Sequence, residues 1–196
     1  MSDRQTMILD AAIRVIAQSG VRGLRVEKLA AEAGISTALI YYHFGSRAGL
    51  IRRTLEHIND RAARYTGQAL ASKDPRAQIE QMLLLEIQGT PTVRENSIAW
   101  GELRASAVFD GELREQLRDA TQQWSADLRE VITMAQDSGM ADPGIDPTDA
   151  AERLTALVEG LSERWLSGSI TLERAQHLLA GAITAELGPA RRSQQG

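Results

Sequence analysis

Thr37 and Ala38 open a short helical pattern, and one turn further along the same face stands Tyr42, followed by His43. A threonine hydroxyl can hydrogen-bond several bases and an alanine methyl can pack on a thymine methyl. These groups suit recognition of a nucleic acid, not the making or breaking of bonds. Nothing else in the chain is spaced for catalysis. The three histidines, His43, His57 and His177, fall on separate predicted helices. There is no His-Glu-x-x-His pair, no glycine-rich phosphate loop and no nucleophile elbow. The chain has no cysteine, which excludes disulfides and thiolate metal sites. No enzyme activity, metal or cofactor is expected.

The elements that would position Thr37 and Ala38 are two short helices joined by a glycine turn. Leu29, Ala33, Ile35 and Ile40 are the apolar positions that lock the pair, and Ala30 is small where they cross. Gly34 stands where the first helix must stop, and glycine tolerates the left-handed backbone of a helix C-terminus. Ser36 is a good N-cap for the second. The pattern predicts a helix-turn-helix, whose second helix is built to enter a DNA major groove.

Around it the chain reads as all-α. Helices are expected at about 4–19, 26–33 and 37–44, with Gly45 breaking the chain and Ser46 capping a fourth. Leu50, Ile51, Leu55, Ile58, Ala62, Tyr65 and Ala69 carry that fourth stripe to about Leu70. Gly49 in its first turn costs roughly 1 kcal/mol relative to alanine and predicts a loose start. Further helices are expected at about 75–88, 93–108, 111–136, 148–166 and 172–187. The segment 139–147, with two prolines and two glycines, reads as a loop, and the tail from Gly188 reads as frayed. The implied division is a DNA-binding head, residues 1–47, and a body, residues 48–196.

Charge supports the division. The first 47 residues hold six basic against four acidic side chains, a balance of +2; the rest hold sixteen against twenty-two, or −6. The basic end is where phosphates would be met. A hydrophobic content of 43% is ample for a core. No apolar run approaches the length of a membrane span, and the N-terminus lacks a signal peptide's apolar stretch. A cytoplasmic protein without membrane contact is expected.

The string Leu29-Ala30, Ala33-Gly34-Ile35-Ser36, Ile40-Tyr41-Tyr42-His43-Phe44, Ser46-Arg47 and Leu50 resembles the N-terminal domain of the TetR family of bacterial transcriptional repressors. The resemblance is clear over about residues 5–52; beyond that it rests on size and helical rhythm. It implies about nine helices and a ligand-responsive repressor that grips a near-palindromic operator as a homodimer. The alternative is a DNA-binding protein of the same fold with no effector, in an architectural or cell-division role.

The resemblance places phosphate clamps among Tyr41, Tyr42 and His43, with Tyr41 alternatively packing on the first helix. It places a backbone contact at Arg47, where relatives usually carry lysine. Arg25 stands where relatives carry Thr or Ser; it cannot cap the helix as a hydroxyl does but can reach a phosphate. Glu27 is either solvated or an acceptor for a cytosine amine. In relatives an effector cavity lies among the fourth to eighth helices. Trp100, Phe109, Trp124, Met82 and Met134 could line it, with Asn59, Glu86, Glu102, Arg104, Gln123 and Asp127 as polar anchors. Trp100-Gly101-Glu102-Leu103-Arg104-Ala105 and Glu159-Gly160-Leu161 loosely resemble the subgroup that includes choline-responsive repressors. Tryptophan beside carboxylate would suit a cation. The family's dimer interface is a four-helix bundle of the last two helices. Here these carry Leu154, Leu157, Val158, Leu161, Trp165, Leu178, Leu179, Ala182 and Ile183, which could instead close the core of one chain.

Overall fold

The computed structural model describes residues 2–67 and 72–188. Among them are nine α-helices and no strand: α1 Asp3–Ser19, α2 Val26–Ala33, α3 Thr37–Phe44, α4 Arg47–Thr66, α5 Pro75–Leu84, α6 Pro91–Ala107, α7 Gly111–Asp137, α8 Pro147–Leu166 and α9 Leu172–Leu187. The expected bounds of α2, α3 and α9 coincide with these. The extension of α4 to Leu70, with Ala69 on its stripe, and the tail beyond Gly188 lie outside the described residues.

Local chemistry accounts for most ends. Ser2 and Gln5 close a reciprocal capping box at the start of α1. Pro91 and Pro147 occupy the first turns of α6 and α8, capped by Thr90 and Asp146. The sequence reading began both helices later, but a proline's fixed φ and missing N–H suit this first position. α5 is shorter than expected. The amides of Glu86 and Ile87 turn back to the carbonyls of Leu83 and Leu84 at 3.2 and 3.1 Å, so a tight turn replaces its last α-turn. Gly49 is not a loose spot in α4. A Cβ there would stand 2.3 Å from the Phe44 carbonyl oxygen, so the close backbone approach itself demands glycine. The Ser46 hydroxyl accepts the Gly49 amide at 3.0 Å.

The chain forms two compact units. The first comprises residues up to Ala63 with Thr90–Ala120; the second comprises Arg64–Gly89 with the residues from Thr121 onward. This packing does not follow a boundary at residue 47, because α1 packs on α6 as well as on α2. In the first unit Ile8, Leu9, Ile13 and Ile16 of α1 share a core with Leu29, Ile40, Leu50, Leu55, Ile58 and Leu103. At roughly 1.5–3 kcal/mol per buried side chain, that core is what holds the short α2 and α3 in place. A polar seam crosses the same unit. His57, almost fully buried, meets the Asp10 carboxylate at 2.8 Å, and Asn96 donates to the Ile58 carbonyl at 3.1 Å.

In the second unit α8 packs along α9, and α5 packs on both. Its core holds Ile79, Leu83, Ile87, Leu128, Ile132, Leu154, Leu161, Leu179 and Ile183. Arg76 is buried there because its guanidinium donates to the carbonyls of Met140 and Gly188 at 3.2 and 2.6 Å.

Candidate nucleic-acid interface

Gly34 ends α2 at φ 65°, ψ 37°, and the next amide, of Ile35, returns to the Ala30 carbonyl at 3.0 Å. This left-handed cap turns the chain sharply. Ser36 then starts α3 by accepting the Leu39 amide at 3.3 Å. Ile40 and Phe44 bury the back of α3 in the core of the first unit. That burial fixes which face of α3 is left for a partner. Ala38, Tyr41 and Tyr42 are exposed, Tyr42 to 81%, while Thr37 and His43 are half-buried at its edge. The Tyr42 and His43 rings meet edge to face at 5.1 Å. Tyr41 is about half exposed at 49%. Arg25 occupies the N-cap position of α2 without capping it, and its side chain is exposed. Glu27 is exposed as well.

Arg47 differs from expectation. Its Nε donates to the Leu24 carbonyl at 3.0 Å and its Nη2 to the Val21 carbonyl at 2.6 Å. The guanidinium is taken up by the connector between α1 and α2, where a free hook for phosphate was expected. α2 is tied to α1 on its other side by the Arg14–Glu32 pair at 3.0 Å and by Lys28 bonded to the Ser19 hydroxyl. None of these ties was legible in the sequence: Arg47 meets backbone groups that carry no sequence signal, and the two side-chain pairs join residues distant in the chain.

Residues 8–54 match the family of bacterial regulatory proteins, tetR family, and residues 75–188 match the BetI-type transcriptional repressor, C-terminal family. The chain belongs to the TetR family. The HTH-type transcriptional regulator BetI of Burkholderia ambifaria is 26% identical over 169 residues, spanning 85% of this chain and 82% of the relative. A TetR-family regulator from Rhodococcus sp. is 45% identical, with a TM-score of 0.90 over 96% of this chain and all of that one. A transcriptional regulator from Saccharomonospora viridis, solved with choline, shares the fold at 24% identity and a TM-score of 0.84, covering 98% of this chain and 100% of that one. The protein is therefore a TetR-family, DNA-binding transcriptional regulator with a BetI-type C-terminal region, and not an enzyme. No helix among its described residues is long and apolar enough to cross a membrane.

The residues that the TetR resemblance assigned to an effector cavity divide between the two units. In the first, Phe109 is 85% exposed in the turn after α6. Met134, in the second, is also exposed. Glu102 is engaged elsewhere: its carboxylate accepts the Val21 amide at 3.2 Å. Trp100 packs against the first core with the Arg104 guanidinium 5.4 Å from its ring centroid, and Asn59 is half-buried. In the second unit Gln123 and Asp127 are exposed and bonded to each other at 2.7 Å, one turn apart on α7. Their amide and carboxylate satisfy each other in solvent and do not reach inward. Met82 and Trp124 pack half-buried against the second core.

Glu86 is the candidate that stands out. The turn ending α5 carries its carboxylate inward, where the Tyr65 hydroxyl donates to it at 2.7 Å. Burial pushes its pKa up from 4.5 to about 7, against the opposing pull of that hydrogen bond. Tyr65 is its hydrogen-bond partner among the described residues, and no basic side chain is paired with it there.

The expected dimer residues also need sorting. Leu154, Val158, Leu161, Trp165, Leu179 and Ile183 are buried in the core of a single chain. Leu157, Leu178 and Ala182 keep part of their surface. Beside them Gly160 and Gly181 face open space, with no atom within 4 Å of where a Cβ would stand.

Proposed function

We propose that the protein is a ligand-released repressor: a homodimer that holds a near-palindromic operator through two copies of α3 and lets go when a small organic cation binds its second unit. The reading of DNA rests on one observation, the bared face of Ala38, Tyr41 and Tyr42, edged by half-buried Thr37, on a helix whose back is buried. Thr37 and Ala38 read base edges from the N-terminal end of α3; Tyr41, Tyr42 and His43, with Arg25 at the start of α2, hold phosphates. The functional division is a DNA-binding head of residues 1–47 on an effector-binding and dimerising body of residues 48–196. Two heads need two chains, and the exposed strip of Leu157, Gly160, Leu178, Gly181 and Ala182 on α8 and α9 is the surface that joins them. Small residues let helices from two protomers approach closely.

The effector reading rests on Glu86. A half-buried carboxylate with a tyrosine hydroxyl beside it, and no basic side chain paired with it among the described residues, suits a positively charged guest. Choline, bound by the S. viridis relative, belongs to the class of small quaternary ammonium ions that such a site would take. The protein would act in the cytoplasm.

Selection of bound duplex from a random pool tests the first part. Thr37→Ala should change which sequence is enriched, and Tyr42→Ala should weaken all sequences alike. An unchanged preference in Thr37→Ala would remove Thr37 from the readout. A pool with no enrichment at all would remove the operator reading.

A further inference from the structure

We propose that Glu102 is a positioning residue for DNA binding: from α6 it pins the connector between α1 and α2, and so fixes the angle at which α3 is offered to the groove. The proposal rests on the reading of α3 as the element that meets DNA. It stands on three observations within the first unit.

The connector begins at Gly20, whose φ of 70° lies in the left-handed region. It then makes one short 3-10 turn, Val21–Gly23. In that turn the amides of Gly23 and Leu24 are used internally, reaching the carbonyls of Gly20 and Val21 at 3.0 and 3.2 Å. The Val21 amide precedes them and has no partner in the turn. Glu102, 81 residues away in sequence, supplies it: Oε2 accepts that amide at 3.2 Å.

The second observation is at Gly20, whose positive φ itself calls for glycine. A Cβ at Gly20 would stand 2.7 Å from Glu102 Oε2, so a side chain there would both strain the backbone and push the carboxylate away. Thirdly, the carbonyls of the same connector, Val21 and Leu24, are gripped from α4 by Arg47. Residues 20–24 are thus held by an acid from one helix and a base from another, each bonded to backbone. Arg25, the next residue, is the N-cap of α2, and its carbonyl accepts the Leu29 amide at 2.9 Å. Where the connector lies, α2 and α3 must follow.

Such a pin should act on geometry more than on stability. Glu102 is exposed, so its loss removes no core. Sequence-specific binding needs base-edge contacts in register, whereas non-specific binding needs only charge near phosphates. Glu102→Ala should therefore weaken binding to the selected operator by about tenfold, the scale of one hydrogen bond to a charged group. Binding to a random duplex should change by less than about twofold by the same reasoning. The Val21 amide should exchange with solvent faster in this variant, with the unfolding midpoint lowered by no more than the several degrees that one hydrogen bond is worth. Glu102→Gln keeps a carbonyl acceptor at the same reach and should restore most of the operator affinity. Gly20→Ala should reproduce the Glu102→Ala loss. Fluorescence anisotropy on both duplexes, with amide exchange, reads all of this. Unchanged operator affinity in Glu102→Ala overturns the proposal, as does an equal loss on both duplexes. A wild-type protein that binds no duplex removes the reading of α3 and takes the proposal with it. A wild type that binds, beside an Ala variant that binds as well, removes the proposal alone.

Discussion

Glu86 was legible as a lone acid in the apolar run Met82 to Ile87; its depth was not, because that depends on α5 ending at Leu84. The raised pKa has a sign that can be tested. Between pH 4.5 and about 7 the folded chain holds a proton that the unfolded chain has released. Stability from this group is therefore greatest at low pH, falls as pH rises through that window, and is flat above it. Glu86→Gln removes the cost. The variant should gain roughly 1–3 kcal/mol over wild type at pH 8 and little at pH 4.5. Urea midpoints at the two pH values measure it, and an equal gain at both would mean that the carboxyl is ionised without penalty. Arg47 and Glu102 were legible as charged residues but were assigned to DNA and effector. In the structure both bond to backbone groups, which no side-chain pattern announces.

At the scale of elements, the helices were legible wherever caps and period agree. Gly34 and Ser36 set the ends of α2 and α3, and Thr171 caps α9. What could not be read is why a glycine sits inside the first turn of α4. Propensity alone makes Gly49→Ala stabilising by roughly 1 kcal/mol. The Phe44 carbonyl oxygen, 2.3 Å from the added methyl's position, reverses that. The clash is with backbone, so the turn from Phe44 to Ser46 must shift, and with it the end of α3 that carries Tyr41 and Tyr42. Gly49→Ala should lower the thermal midpoint by several degrees, the scale of about 1–2 kcal/mol in a small domain. It should weaken operator binding even with no effector present. A midpoint above that of wild type would show that the turn relaxes freely.

For the whole molecule, the all-α class and the family were legible, and the division of labour between surfaces was not. Period marks which residues are apolar; it does not tell a stripe that closes one chain from a stripe that joins two. Six of the nine residues first assigned to the dimer are buried within one chain, leaving Leu157, Leu178 and Ala182 beside two open glycines. Gly160→Arg should therefore convert a dimer into a species near the 21.4 kDa of one chain by light scattering. An effector then acts only through preference. A cation that binds the DNA-competent and released dimers equally shifts nothing, however tightly it binds. Moving the population from 99:1 to 1:99 takes roughly 5.5 kcal/mol of differential affinity, which two sites in a dimer can share at roughly a hundredfold each. Because Glu86 must give up its proton to hold a cation, release should be strongest above pH 7 and weaken below it, by up to about tenfold in required concentration per pH unit. Titrating choline into the operator complex at pH 6 and pH 8 checks this by anisotropy, with Glu86→Gln expected to respond at neither pH. Release that is equal at both pH values, or intact in Glu86→Gln, would place the cation away from Glu86. No release at either pH would remove choline as the effector.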